Sequence, residues 1–127
     1  MPVIHIHTLP FARKPDVASI LIQLNTKVAE AIGLEPGHVW SYWTFIEPHH
    51  YASGSETAAI TGSEKHSPIV TIQSFEGRTQ EQITAMLNVT ADVLSQNTGL
   101  GRDNIFITYH EVLSGRVFDG GEVVFKK

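Results

Sequence analysis

Apolar residues recur along this chain at two periods, and the periods alternate. Residues 3–9 read VIHIHTL, with isoleucine at 4 and 6 and histidine at 5 and 7. That period of two predicts a half-buried strand. Val17, Ile20, Leu21, Leu24, Val28 and Ala31 follow at helical spacing. Pro15 suits the first turn of that helix, where its missing N–H is not needed, and Gly33 suits the left-handed residue after the helix end. HVWSYWTFI, residues 38–46, reads as a second strand. The order then repeats. PIVTIQSF from Pro68 is a strand, and Thr79 with Gln82 makes a capping box. Ile83, Met86, Leu87, Thr90 and Leu94 continue a helix, Gly99 ends it, and NIFITYHEV is the next strand.

The two halves match at a constant offset of 66 residues without a gap. Pro2 matches Pro68, Ile4 matches Val70, Ile6 matches Ile72, Ile20 matches Met86, Gly33 matches Gly99, and Trp40 matches Phe106. Such a repeat is the first thing to settle about a fold. A strand–helix–strand crossover makes its two strands parallel and lays the helix on one sheet face. Two tandem β-α-β units therefore predict an α+β fold, a four-stranded mixed sheet with two helices on one face. The expected organisation is a single domain, 1–127, with repeat one at 2–48, a loop at 49–66 and repeat two at 67–127. The connecting stretch EPHHYASGSETAAITGSEKH reads as a long loop with a short hairpin at 58–61. The tail SGRVFDGGEVVFKK suits a hairpin packed on a neighbour. One sheet face is left uncovered, which favours an oligomer.

Composition narrows the function classes. With 42% hydrophobic and 17% charged residues, the 127-residue chain is globular rather than disordered. A formal net charge of -4 gives no basic surface for nucleic acid or an anionic membrane. The chain has no cysteine, so disulfides, thiolate catalysis and zinc–sulfur sites are excluded. No apolar run reaches transmembrane length, and MPVIHIHTLPFARK lacks the order of a signal peptide, so a cytoplasmic location is expected.

PIVTIQSFEGRTQEQ, from Pro68 to Gln82, and SGRVFDGGEV, from Ser114 to Val123, carry a resemblance. With Pro2 behind Met1 and the internal repeat, they make the chain similar to the tautomerase superfamily. The second half looks most like the short 4-oxalocrotonate tautomerase unit, and the layout resembles the fused-repeat, trimeric, MIF-like members. The resemblance implies a homotrimer, no cofactor, and removal of Met1 to leave Pro2 as a free N-terminus acting as general base on a 2-oxo acid or its enol.

The residues fit that chemistry. A free prolyl nitrogen is a secondary amine, and an α-amine titrates near ~8 rather than at a lysine's ~10.4. Burial and a nearby cation lower it further, towards what proton abstraction beside a carbonyl requires. Pro68 cannot play this part, because Ser67 acylates its nitrogen, so one site per chain is expected. If the two first strands run antiparallel, Arg78 comes towards Pro2, where a guanidinium binds a substrate carboxylate and holds down the amine. The resemblance places an arginine there too. Arg13 reads as a carboxylate binder from another face or as a surface residue, with the surface reading preferred.

Departures from the family limit the substrate. A second arginine of dehalogenase- and decarboxylase-type members falls on Glu76, and an acid of the latter on His38. Trp40, Tyr42, Phe106 and Phe118 are the candidate aromatic wall, with His110 a further substrate-binding candidate, and the small-molecule substrate is expected to be a monocarboxylate. Tyr109, His110 and Glu111 are the candidates for a general acid, and the sequence does not choose among them. His5 and His7 share a strand face without a third ligand at a usable spacing, so no metal is expected. Two alternatives stand beside the tautomerase: a proline-dependent dehalogenase, hydratase or decarboxylase of the same superfamily, and a non-catalytic trimeric binding protein.

Overall fold

The structure is a computed structural model, and it describes residues 1–62 and 65–127. Ser63 and Glu64, in the stretch expected to be a loop, lie outside the described residues. In chain order the elements are β1 (Val3–Thr8), α1 (Val17–Ile32), β2 (Trp40–Phe45), β3 (Ala52–Ser53) and β4 (Glu56–Thr57). Then come β5 (Ile69–Phe75), α2 (Gln80–Thr98), β6 (Phe106–Val112), β7 (Val117–Asp119) and β8 (Glu122–Val124). The main sheet has the order β2-β1-β5-β6. β1–β2 and β5–β6 are parallel, while the central pair β1–β5 is antiparallel. This is the α+β fold expected from the two β-α-β units.

The alternation sets the sheet's two faces. Ile4 and Ile6 of β1, with Val70 and Ile72 of β5, are fully buried beneath the helices, where they meet Ile20, Leu24, Val28, Met86 and Leu94. Each such side chain contributes about 1.5–3 kcal/mol on leaving water. His5 pairs with Thr71 across the central ladder, and these two are also equivalent in the repeat. An approximate two-fold axis therefore runs between them. The repeat extends to hydrogen bonds. Trp40 N–H donates to Pro2 C=O at 3.0 Å, and Phe106 N–H donates to Pro68 C=O at 3.0 Å. Gly33 and Gly99 end the two helices at φ 72° and 77°, a left-handed position that glycine takes without a Cβ clash.

The helix starts differ between the copies. The expected capping box is present: Gln82 N–H donates to Thr79 Oγ1 at 3.1 Å, and Thr79 N–H donates to Gln82 Oε1 at 3.0 Å. In the first copy Asp16 is the cap, accepting from Ser19 N–H at 3.2 Å. Pro15 therefore precedes the cap instead of occupying the first turn, because the carboxylate satisfies the helix donors one residue later.

The hairpin in the connecting stretch lies at β3–β4, not at 58–61. It is the first copy of the tail hairpin. Ala52 pairs with Thr57 and Ser53 with Glu56; their counterparts Phe118–Val123 and Asp119–Glu122 pair in the same way. Gly54 and Gly120 turn the two hairpins at φ 60° and 63°. Among the described residues, no helix is long and apolar enough to cross a membrane.

Candidate active site

The antiparallel centre of the sheet decides what surrounds residue 2. Val3 lies opposite Gln73, so the end of β5 runs past the start of β1. The turn after Phe75 then carries Glu76, Gly77 and Arg78 to the same end of the sheet. Glu76 ties this turn to the tail. Its N–H donates to Val112 C=O at 2.9 Å, and its Oε2 accepts from Ser114 N–H at 2.8 Å. Lys126 Nζ lies 3.5 Å from Oε1. The Ser114 N–H bond and Lys126 hold the Glu76 carboxyl below the usual carboxylate range, against the opposing effect of burial. The β7–β8 hairpin thereby faces the ends of β5 and β6 across a shared opening.

The result is a cleft of about 430 Å³. Trp40, Phe75 and Phe118 supply aromatic walls, Gln73 and Ser74 supply polar edges, and Asp119 lies on the hairpin side. Met1 occupies the cleft, while Pro2 behind it is buried. The α-amine of Met1 is held below its ordinary value, first by burial and then by the Arg78 guanidinium, with Asp119 acting in the opposite direction. An amine at this end of the chain is thus biased towards its neutral, basic form. Arg78 is itself half-buried.

Glu76→Gln offers a check on this wall. A carboxyl with a lowered folded value stabilises above the ordinary carboxylate range and loses that contribution as pH falls through its folded value. The variant is expected to lose part of the wild type's decline in thermal midpoint between about pH 5 and pH 3. It is also expected to exchange the Ser114 amide faster. Equal acid titration of the two melting curves would refute the tie.

The other candidates are distributed over the fold. Trp40 and Phe118 line the cleft. Tyr42 lies on the open sheet face, stacked on His5 at 3.9 Å between ring centroids. His5 shares a 2.9 Å hydrogen bond with Thr44 and lies 3.6 Å from the His7 ring. Burial, then His7, pushes His5 below its ordinary value. Phe106 is exposed on the second edge strand, the counterpart of Trp40. His110 is exposed and shares a 2.8 Å hydrogen bond with Thr108. Tyr109 packs on the core beneath the helices, and Glu111 is exposed. None of Tyr109, His110 and Glu111 lines the cleft. Among the described residues no cluster of three or more His, Cys, Asp or Glu is placed to hold a metal.

The second copy differs at the equivalent place. Ser67, the counterpart of Met1, acylates a buried Pro68. Its Oγ donates to Asn104 Oδ1 at 2.7 Å, and its carbonyl accepts from Tyr51 OH at 2.9 Å. Asp119, Gln73, Ser74 and Phe75 are among the cleft residues that sequence reasoning missed. The antiparallel register and the Asp-Gly-Gly turn were the signals that point to them.

Residues 68–127 match the sequence model of the family described as Tautomerase enzyme. No curated protein sequence matches the chain. Solved structures match its fold over nearly its full length. A protein inactivated by 2-oxo-3-pentynoate has a TM-score of 0.82 and 15% identity, covering 96% of this chain and 94% of its own. A wild-type fused 4-OT symmetric trimer has a TM-score of 0.79 and 12% identity, covering 96% and 94%. Malonate semialdehyde decarboxylase has a TM-score of 0.67 and 15% identity, covering 93% and 90%. By sequence, residues 68–127 match the tautomerase family, and by fold nearly the whole chain resembles these solved structures.

Proposed function

We propose that the protein is a cofactor-independent tautomerase that interconverts a 2-oxo monocarboxylic acid and its enol. One observation carries the reading: the chain's N-terminal amine lies in an apolar cleft, lowered in basicity towards neutrality by burial and by Arg78. Removal of Met1 leaves the Pro2 nitrogen as that amine. In the ketonising direction the neutral prolyl nitrogen takes the enol hydroxyl proton and the resulting ammonium returns a proton to carbon. Arg78 binds the substrate carboxylate, and Trp40 and Phe118 cover its apolar body. Inactivation of a structural neighbour by 2-oxo-3-pentynoate, a 2-oxo monocarboxylate, supports this substrate class.

Glu76 favours the tautomerase over the dehalogenase or decarboxylase alternative. It stands where those members carry a second arginine, and its carboxylate is engaged by Ser114 and Lys126. The assembly we propose is a homotrimer. Trp40, Tyr42 and Phe106 are each about half exposed on the uncovered sheet face, and fused 4-OT relatives of this fold are trimers. Size-exclusion chromatography with light scattering reads this directly. The catalytic reading is tested by Pro2→Ala with phenylenolpyruvate. A primary amine lacks the ring that orients the lone pair, so kcat/KM is expected to fall by about tenfold or more. Unchanged turnover would overturn the reading.

A further inference from the structure

We propose that Asp119 makes the cleft selective for ligands bearing a single carboxylate, by opposing a second one at the hairpin wall. This rests on the reading of the cleft as a small-molecule site. Among the described residues lining the cleft, Asp119 is the one whose side chain is charged at neutral pH. The other walls are aromatic, aliphatic or uncharged polar. Arg78 lies outside this lining, although its charge reaches the terminal amine. Asp119 acts on the same amine in the opposite sense, so it weakens the first carboxylate as well and a second one has no cation of its own to offset the added repulsion.

A carboxylate drawn to the amine and Arg78 leaves the rest of the ligand along Trp40, Phe75 and Phe118. A second carboxylate on that body finds no lining cation and faces Asp119. At an effective dielectric of about 20, two like charges about 10 Å apart weaken binding about tenfold, and more at closer range. The acid's position is built into the hairpin. Asp119 pairs with Glu122, and its Oδ1 accepts from Gly120 N–H at 3.0 Å. The first-copy hairpin carries Ser53 at the equivalent place, so only the hairpin that walls the cleft bears this charge.

The test is equilibrium binding, read by Trp40 fluorescence and calorimetry, of 3-phenylpropionate and adipate to wild type, Asp119→Asn and Glu122→Gln. Asparagine keeps the Oδ1 acceptor for Gly120. Asp119→Ser, which installs the first-copy residue, is the second variant, and melting curves check that both fold. Both Asp119 variants are expected to tighten adipate about tenfold more than they tighten phenylpropionate. Glu122→Gln makes the same charge change off the cleft lining and is expected to leave the ratio unchanged. The proposal is overturned by an unchanged ratio at position 119, by an equal shift at position 122, or by wild type that binds neither ligand. Selective binding without keto–enol turnover would refute only the catalytic reading.

Discussion

A chain that keeps Met1 is expected to turn over phenylenolpyruvate 10²- to 10⁴-fold more slowly than the same chain after Met1 is removed. The comparison changes no residue of the fold. With Met1 in place the Pro2 nitrogen is an amide, which has no available lone pair to accept a proton. The methionine also fills space in the cleft. Its own α-amine is lowered by burial and Arg78, yet it is displaced by one residue from the proline. A displacement of that size takes a base out of near-attack geometry. The loss expected from general base catalysis is equivalent to about 2.7–5.4 kcal/mol of barrier. Aminopeptidase treatment of the retained form, followed by mass spectrometry and assay, checks it. Equal activity before and after removal would exclude the prolyl nitrogen as the base.

Arg78→Ala is expected to have the next largest effect. A hydrogen bond to a charged group contributes about 1.5–3 kcal/mol, so losing the carboxylate anchor lowers kcat/KM roughly 10- to 150-fold, mainly through KM. The pH profile moves as well. Arg78 disfavours the protonated amine, so its removal raises the amine's pKa. The neutral base then forms only at higher pH, and the acid limb of kcat/KM shifts upwards. Arg78→Lys is expected to restore much of the limb's position, because it keeps the charge. It is not expected to restore KM fully, because it lacks the planar bidentate fork. An unmoved profile in the alanine variant would show that Arg78 does not act on the amine.

These expectations mix what was readable along the chain with what was not. Period-two alternation in β1 and 3.6-residue spacing in α1 reflect local geometry, so the elements were legible wherever an element is long. The Thr79–Gln82 cap and the glycines at 33 and 99 were legible for the same reason: each acts within a few residues of its own position. The β3–β4 hairpin was misplaced because strands of two residues carry no periodicity. Its identity emerges from the pairing it shares with β7–β8.

Cleft membership depends on contacts across the chain. Trp40 and Tyr42 are both aromatic and share one strand face. Trp40 lines the cleft beside Met1, whereas Tyr42, one strand period further on, stacks on His5. Tyr109 and His110 are adjacent in sequence, but the pleat sends one to the helices and the other to the open face. Asp119 resembles any turn acid until Glu76 pins the tail across the sheet end.

Sequence alone established the duplicated β-α-β architecture and the absence of cysteine, because these follow from composition and local periodicity. Folding chose which residues meet around residue 2. The register Val3–Gln73 and the docking of the tail hairpin bring together groups 70 or more positions apart. No local pattern encodes such a distance, since it is set by which buried faces pack in the finished core.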